Sequence, residues 1–276
     1  MTKQTLFPLF ALLVALFAVS CKSDKPAPSS APTADTLVAV CDSLPSDTTS
    51  IAPPKKADGL FDDFVYSFMR NPKFQKQRVK FPLKVVDHGK VSQLSAKEWH
   101  YDKMYLSNDV YTTIFDSEQS IKAEKDTSLD SVAVEWVYLK RREVKQFRFH
   151  RLQGEWYLTE IVKHALSENI NSDFYLFYDK FSADQAYQLR HVNSTISFKT
   201  FDEDNFAPIE GVLDAQQWPD FRPELPKGTI TNINYGQHYG NGKRRVLMVC
   251  TPSGGMGCSL TFERKKSGWM LVKLVN

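Results

Sequence analysis

The sequence predicts an α+β fold in which one unit of helices and strands is written twice. Phe61, Phe64, Val65 and Phe68 recur at helical spacing and give one apolar stripe. Segments rich in branched and aromatic residues follow at strand length. The third observation is a repeat. Phe61, Phe64 and Phe68 match Phe174, Phe177 and Phe181 at an offset of 113 residues. Phe149, Arg151, Trp156, Leu158 and Ile161 match Phe262, Arg264, Trp269, Leu271 and Leu274 at the same offset. Between these blocks Leu94, Ala96 and Trp99 align with Leu213, Ala215 and Trp218 at 119, so six residues gained between Ser194 and Gly211 are lost again later. Aromatic stripes common to amphipathic domains do not explain a restored offset.

At the N-terminus, Lys3 precedes an apolar run of fourteen residues, Leu6 to Val19. A bilayer-spanning helix needs about 20 residues, so residues 1–20 are expected to be a signal peptide. Ala18-Val19-Ser20-Cys21 resembles the bacterial lipobox, with Ala18 in place of the commoner leucine. The resemblance implies cleavage before Cys21 and lipidation of that cysteine; the alternative is an ordinary secretory signal with a chance cysteine. Acyl chains contribute about 0.8 kcal/mol per buried methylene, so more than one holds a protein firmly on a membrane. Residues 21–57 then read as a flexible linker rich in Pro, Ser and Thr. Six of the 14 prolines fall there, and no Phe, Trp or Tyr occurs between Phe17 and Phe61. Such a segment cannot bury enough apolar surface to offset its conformational entropy. Cys41 is expected to be unpaired. Thr36, Ser43 and Thr48 each follow an aspartate, and these short segments resemble the O-glycosylation acceptor motif of Bacteroidetes-type bacteria.

The body divides near residue 168 into 58–168 and 169–276. In the first half, Asp58 or Asp62 favours the start of the opening helix. Asn71-Pro72 breaks it and starts a second. Phe81 to Val86 is strand-like. Ser95 with Glu98 forms a capping-box pattern expected to open a third helix, mirrored by Asp214 with Gln217. Val110 to Phe115, Val132 to Leu139, Val144 to Leu152 and Trp156 to Val162 read as successive strands. Gln153-Gly154 turns one hairpin and Ser267-Gly268 its equivalent. Helices packed on a curved antiparallel sheet are the expected architecture of each half.

This order of elements resembles the NTF2-like (cystatin-like) fold, which implies two tandem NTF2-like domains. The run from Phe61 to Leu83, with Phe74-Gln75, Arg78 and Phe81-Pro82-Leu83, is similar to a domain-of-unknown-function family of Bacteroidetes lipoproteins. The second half departs from that run, with His191 at the Arg78 position and Ser194 at the Phe81 position. The family supplies no activity to carry over.

Composition restricts the function classes. Lys and Arg number 35 against 32 Asp and Glu, a net charge of +3, which gives no case for a nucleic-acid partner. Four cysteines are too few for a disulfide scaffold. No metalloprotease, nucleophile-elbow, Walker or dinucleotide pattern occurs, and no two of the six histidines share helical ligand spacing, so neither metal nor cofactor is expected. Ser253-Gly-Gly-Met-Gly257 lacks the lysine of a phosphate cradle and reads as a hairpin loop. The basic runs at 140–142 and 243–245 read as solvated turns, with contact to an anionic lipid or glycan as the functional reading. Trp99 and Trp218 read as core anchors. Asp102 with His100 is the weak candidate for a catalytic pair, by analogy with proton-transferring relatives of the fold.

Alternation along 246–250 and 258–262 pairs Cys250 with Cys258 about Gly254, at disulfide distance and in an oxidising compartment; the alternative is two thiols sharing a core. The expectation is a lipid-anchored cell-envelope protein, on the periplasmic or the surface face. Its partners would be the membrane and a small molecule, glycan or envelope protein, bound without chemistry. The alternatives are a small hydrolase or isomerase using one cone, and a structural accessory lipoprotein.

Overall fold

The apolar stripe of the first half forms helix α1 (Phe61–Arg70), with Asp62 and Asp63 in its first turn and Arg70 in its last, charges that suit the helix dipole. Asn71 ends it and caps helix α2 (Pro72–Gln77), its side chain accepting from the Lys73 and Phe74 amides at 3.0 Å. Helices α3 (Ser172–Ala183) and α4 (Gln185–Arg190) repeat this pair, with Asp184 as the cap. The computed structural model describes residues 58–202, 207–240, 242–253 and 255–276. The signal segment, the linker, Cys41 and the modification candidates Cys21, Thr36, Ser43 and Thr48 lie outside the described residues.

The first sheet contains β1 (Val79–Asp87), β2 (Lys90–Leu94), β4 (Ser131–Tyr138), β5 (Glu143–Leu152), β6 (Glu155–Ala165) and β9 (Thr229–Asn234), in the order β2-β1-β6-β5-β4-β9. The second contains β3 (Tyr111–Phe115), β7 (Val192–Asp202), β8 (Ala207–Asp214), β10 (Arg244–Cys250), β11 (Met256–Lys265) and β12 (Gly268–Val275), in the order β8-β7-β12-β11-β10-β3. Matched from their outer hairpins, the two orders run in parallel, with β9 at the end of the first sheet and β3 at the end of the second. β3 leaves its own half to pair with β10, Met248 opposite Thr113, and β9 pairs with β4, Val134 opposite Ile233. Where they cross, Thr112 and Thr231, 119 residues apart, bond reciprocally. Each amide donates to the other's hydroxyl, at 2.7 and 3.1 Å, and each hydroxyl donates to the other's carbonyl.

β10 therefore has a core on each side. Val246, Met248 and Cys250 face the cluster around α1, while Leu247 and Val249 face the one around α3. Ring geometry in the two clusters agrees closely. Phe61 lies 5.1 Å from Trp156 at 78°, and Phe174 lies 5.3 Å from Trp269 at 78°. Phe68 meets Phe149 at 5.3 Å and 88°, and Phe181 meets Phe262 at 5.2 Å and 90°. Such edge-on pairs add to the burial free energy of large rings.

The buried charges differ between halves. Asp58, fully buried, holds the Arg78 guanidinium in a two-pronged pair at 2.8 and 2.9 Å, and accepts the Trp156 amide at 3.0 Å. The residues 113 further on are Asn171 and His191. The buried cation there is Arg245, whose Nε donates to Asn171 Oδ1 at 2.9 Å and whose guanidinium lies over Tyr239 and Trp269. Arg245 is thus no part of a solvated turn; it is 1% exposed.

Other expectations are corrected. The sheets are mixed, because β1 runs parallel to β6 and β7 parallel to β12; alternation marks a strand's faces but not its neighbour's direction. Ser95 and Glu98 make the side-chain half of a capping box, at 2.7 and 2.9 Å, but only a turn follows. The equivalent Asp214–Gln217 box does lead into a helical turn, Trp218–Phe221. Trp218 is buried, and Trp99 is partly buried and packs against the core beside Phe81. In the β10–β11 hairpin the register differs by one residue. Val249 lies opposite Cys258 and Leu247 opposite Leu260, with an irregularity that sets Cys250 opposite Met256. A one-residue shift moves a side chain to the other face, so Cys250 and Cys258 enter different cores, and both thiols are free.

Candidate functional site

The structure does not bring the sequence-derived candidates Asp102 and His100 together. Asp102 is held by the side-chain amide of Gln75, which donates to its carbonyl at 2.8 Å and accepts from its amide at 2.9 Å. Its carboxylate accepts the Met104 amide at 2.8 Å and lies 3.6 Å from Lys145 Nζ. These contacts fix the chain entering the 3-10 helix Met104–Ser107. His100 is exposed, and no hydrogen bond joins it to Asp102 among the described residues.

A different set of residues surrounds a cleft of about 500 Å³, a size suited to a small organic ligand. It opens where α1 meets the inserted strand pair β3–β10. Helix periodicity puts Asp62, Tyr66 and Met69 on the α1 face opposite Met248 and Cys250 of β10 and Tyr111 of β3. Tyr105 comes from the 3-10 helix 104–107, and Glu124 from a second one, Gln119–Lys125. Asp63, Pro252 and Ser253 complete the lining. The β3–β10 pairing creates this arrangement, because Tyr111 of β3 and Met248 and Cys250 of β10 lie on the α1 side.

The chemistry of the lining is acidic and phenolic. Asp62 Oδ1 accepts the Tyr235 hydroxyl at 2.7 Å. Burial raises the Asp62 pKa, the Tyr235 bond opposes that rise, and the charge of Asp63 adds to it. Burial, with the charge of Asp62 as a second cause, pushes Glu124 up to about 7, against the weaker pull of Lys125. Tyr105 and Tyr111 stack at 4.7 Å, and burial raises both phenols. Burial also pushes the Cys250 thiol up to about 11, the opposite of what a nucleophilic thiolate requires.

The corresponding positions in the second half carry different chemistry. Tyr175 stands 113 residues after Asp62, and Glu135 the same distance before Met248. The buried Glu135 carboxylate accepts from Gln146 at 2.7 Å, Asn232 at 2.9 Å, Tyr175 at 3.1 Å and Asn169 at 3.2 Å. Four donors satisfy a buried carboxylate, and Glu135, Gln146 and Asn169 border a separate recess of about 420 Å³.

Known proteins fit this architecture. The crystal structure of an NTF2-like protein from Bacteroides fragilis NCTC 9343 is 38% identical in sequence, covers 80% of this chain and 97% of its own, and superposes with a TM-score of 0.74. No curated protein matches the chain. A family model described as domain of unknown function (DUF4348) matches residues 40–276. The chain therefore belongs to the DUF4348 family, whose members occur in Bacteroidetes, and carries a mixed α+β, NTF2-like body.

Proposed function

We propose that the protein is a lipid-anchored cell-envelope module that binds a small ligand, without chemistry, in the cleft between α1 and β3–β10. The observation that carries this reading is the cleft itself. Acids and phenols line about 500 Å³ beside α1, whereas the Glu135 carboxylate is already held by four donors. On this reading, 58–168 and 169–276 are two NTF2-like units of one internal duplication with β3 and β9 exchanged; the recurring offsets and matched ring pairs support it. The signal segment and Cys21 supply export and anchoring, the 21–57 linker lifts the body from the membrane, and Thr36, Ser43 and Thr48 are its glycan acceptors. Exposed Phe201, Ile209 and Val212 on the β7–β8 edge hairpin favour a second reading, an accessory role through protein docking at that edge.

The binding reading is tested with methyl-labelled methionine. Fragments that bind should shift the Met69 and Met248 signals and leave Met270, on β12, unmoved. Ser253→Trp at the rim should abolish those shifts. Hits that move Met270 instead, or that ignore Ser253→Trp, would reject the cleft. Anchoring is read separately by metabolic fatty-acid labelling, where equal labelling of wild type and Cys21→Ala would reject it.

A further inference from the structure

We propose that the cleft takes an organic ammonium ion, a primary amine carried on an apolar or aromatic body. This rests on the binding reading above and names the ligand class of the same site. The charged groups that line the cleft are all acidic: Asp62 and Asp63 from α1 and Glu124 from the 119–125 helix. Lys125 is Glu124's neighbour on its own helix, and Tyr235 faces Asp62 from the end of β9. Two half-buried carboxylates around one apolar space raise each other's affinity for positive charge. The cleft is therefore set to receive a cation.

An independent observation points to the same ligand. Tyr105 is only 5% exposed and lines the cleft, yet its hydroxyl has no hydrogen-bond partner among the described residues. That oxygen is open to the cleft it lines, so a ligand N–H directed at it can replace water as its partner. A primary ammonium has three donors. The cleft offers three acceptors of matching kind, namely the Asp62 oxygen not used by Tyr235, the Glu124 carboxylate and the Tyr105 oxygen. The stacked rings of Tyr105 and Tyr111 present aromatic faces that attract cations. Met69 and Met248 give an adaptable apolar floor for the ligand's body.

The test uses the whole protein and three reagents of one shape: phenethylamine, phenethyl alcohol and phenylpropionate. In isothermal titration near pH 8, where Glu124 is ionised, the amine should bind at least about tenfold more tightly than the alcohol, and the propionate should give no heat. Asp62→Asn and Glu124→Gln, each checked for folding by its methyl spectrum, should each weaken the amine about tenfold and leave the alcohol unchanged. Lowering the pH to about 5.5 should weaken the amine in the wild type but not in Glu124→Gln. Equal affinity for amine and alcohol would overturn the ammonium assignment while leaving the cleft as a binding site. Silence of all three reagents would overturn it as well, with the methionine experiment still deciding the cleft. Amine binding that survives Ser253→Trp would put the ligand elsewhere and overturn both.

Discussion

Replacing Asp58 by asparagine leaves a buried guanidinium without its carboxylate. The carboxamide that takes the carboxylate's place can still accept the Trp156 amide, but Arg78 loses the two-pronged contact at 2.8 and 2.9 Å and keeps the Trp156 carbonyl at 3.1 Å, Glu155 at 3.5 Å and the rings of Phe74, Tyr157 and Phe64. Removing one partner of a buried pair costs about 3–5 kcal/mol. Glu155 remains near, and its side chain is 25% exposed, which favours the low end, about 3 kcal/mol. For a body of this size that lowers Tm by about 6–12 °C. Arg78→Met should cost a similar amount, since it strands Asp58. The double variant should cost far less than the two together, because neither change then strands a buried charge. Urea and thermal unfolding of the four proteins measure this. A loss under about 1 kcal/mol for Asp58→Asn, the size of an exposed pair, would refute the buried-pair reasoning. So would strict additivity.

Phe64→Ala and Phe177→Ala should each destabilise by about 3–5 kcal/mol, as both rings fill packed cores; a urea midpoint unmoved by either would contradict that packing. Glu124 titrates near 7 in the folded protein against an ordinary value of 4.5, so the folded state holds the extra proton between those values. Stability should fall as pH rises from about 4.5 to about 7, and Glu124→Gln should flatten the slope, read from urea midpoints across that range. Burial pushes the Cys250 and Cys258 thiols up to about 11. Both should resist alkylation when native and react fully after denaturation without reductant. A linked 250–258 peptide from envelope-derived protein would contradict the hairpin register.

The helices and the long strands were legible because their signals are local. The Phe61, Phe64 and Phe68 stripe, the Asn71-Pro72 break and the Gln153-Gly154 turn, both turn residues at positive φ, each act within a few residues. The 113-residue offset picked out Phe61, Phe64 and Phe68 and Phe174, Phe177 and Phe181 as core rings, because core rings leave a stronger pattern than surface residues. The strand exchange was not legible. Tyr111 to Phe115 has the same composition whichever sheet it joins, and only its pairing with β10, with Thr112 bonded to Thr231, reveals the crossing. For the same reason Arg245 read as a surface charge. It is buried because Asn171, Tyr239 and Trp269 converge on it from distant parts of the chain. The cleft was missed because Asp62 doubles as a helix-start acid and Glu124 lies in a 3-10 segment without periodicity. One available signal was that Tyr175 occupies the position equivalent to Asp62, a difference between halves at an otherwise matched helix.

The cleft between α1 and β10 is tested most directly by the protons that move when it fills. Near pH 7 Glu124 is about half protonated, and an ammonium ion beside it favours the ionised form. Titrating phenethylamine in two buffers of different ionisation enthalpy counts the proton released per ligand bound. The expected result is net proton release near pH 7, vanishing in Glu124→Gln. Binding with no proton exchange, or with proton uptake, would contradict an ammonium seated against Glu124.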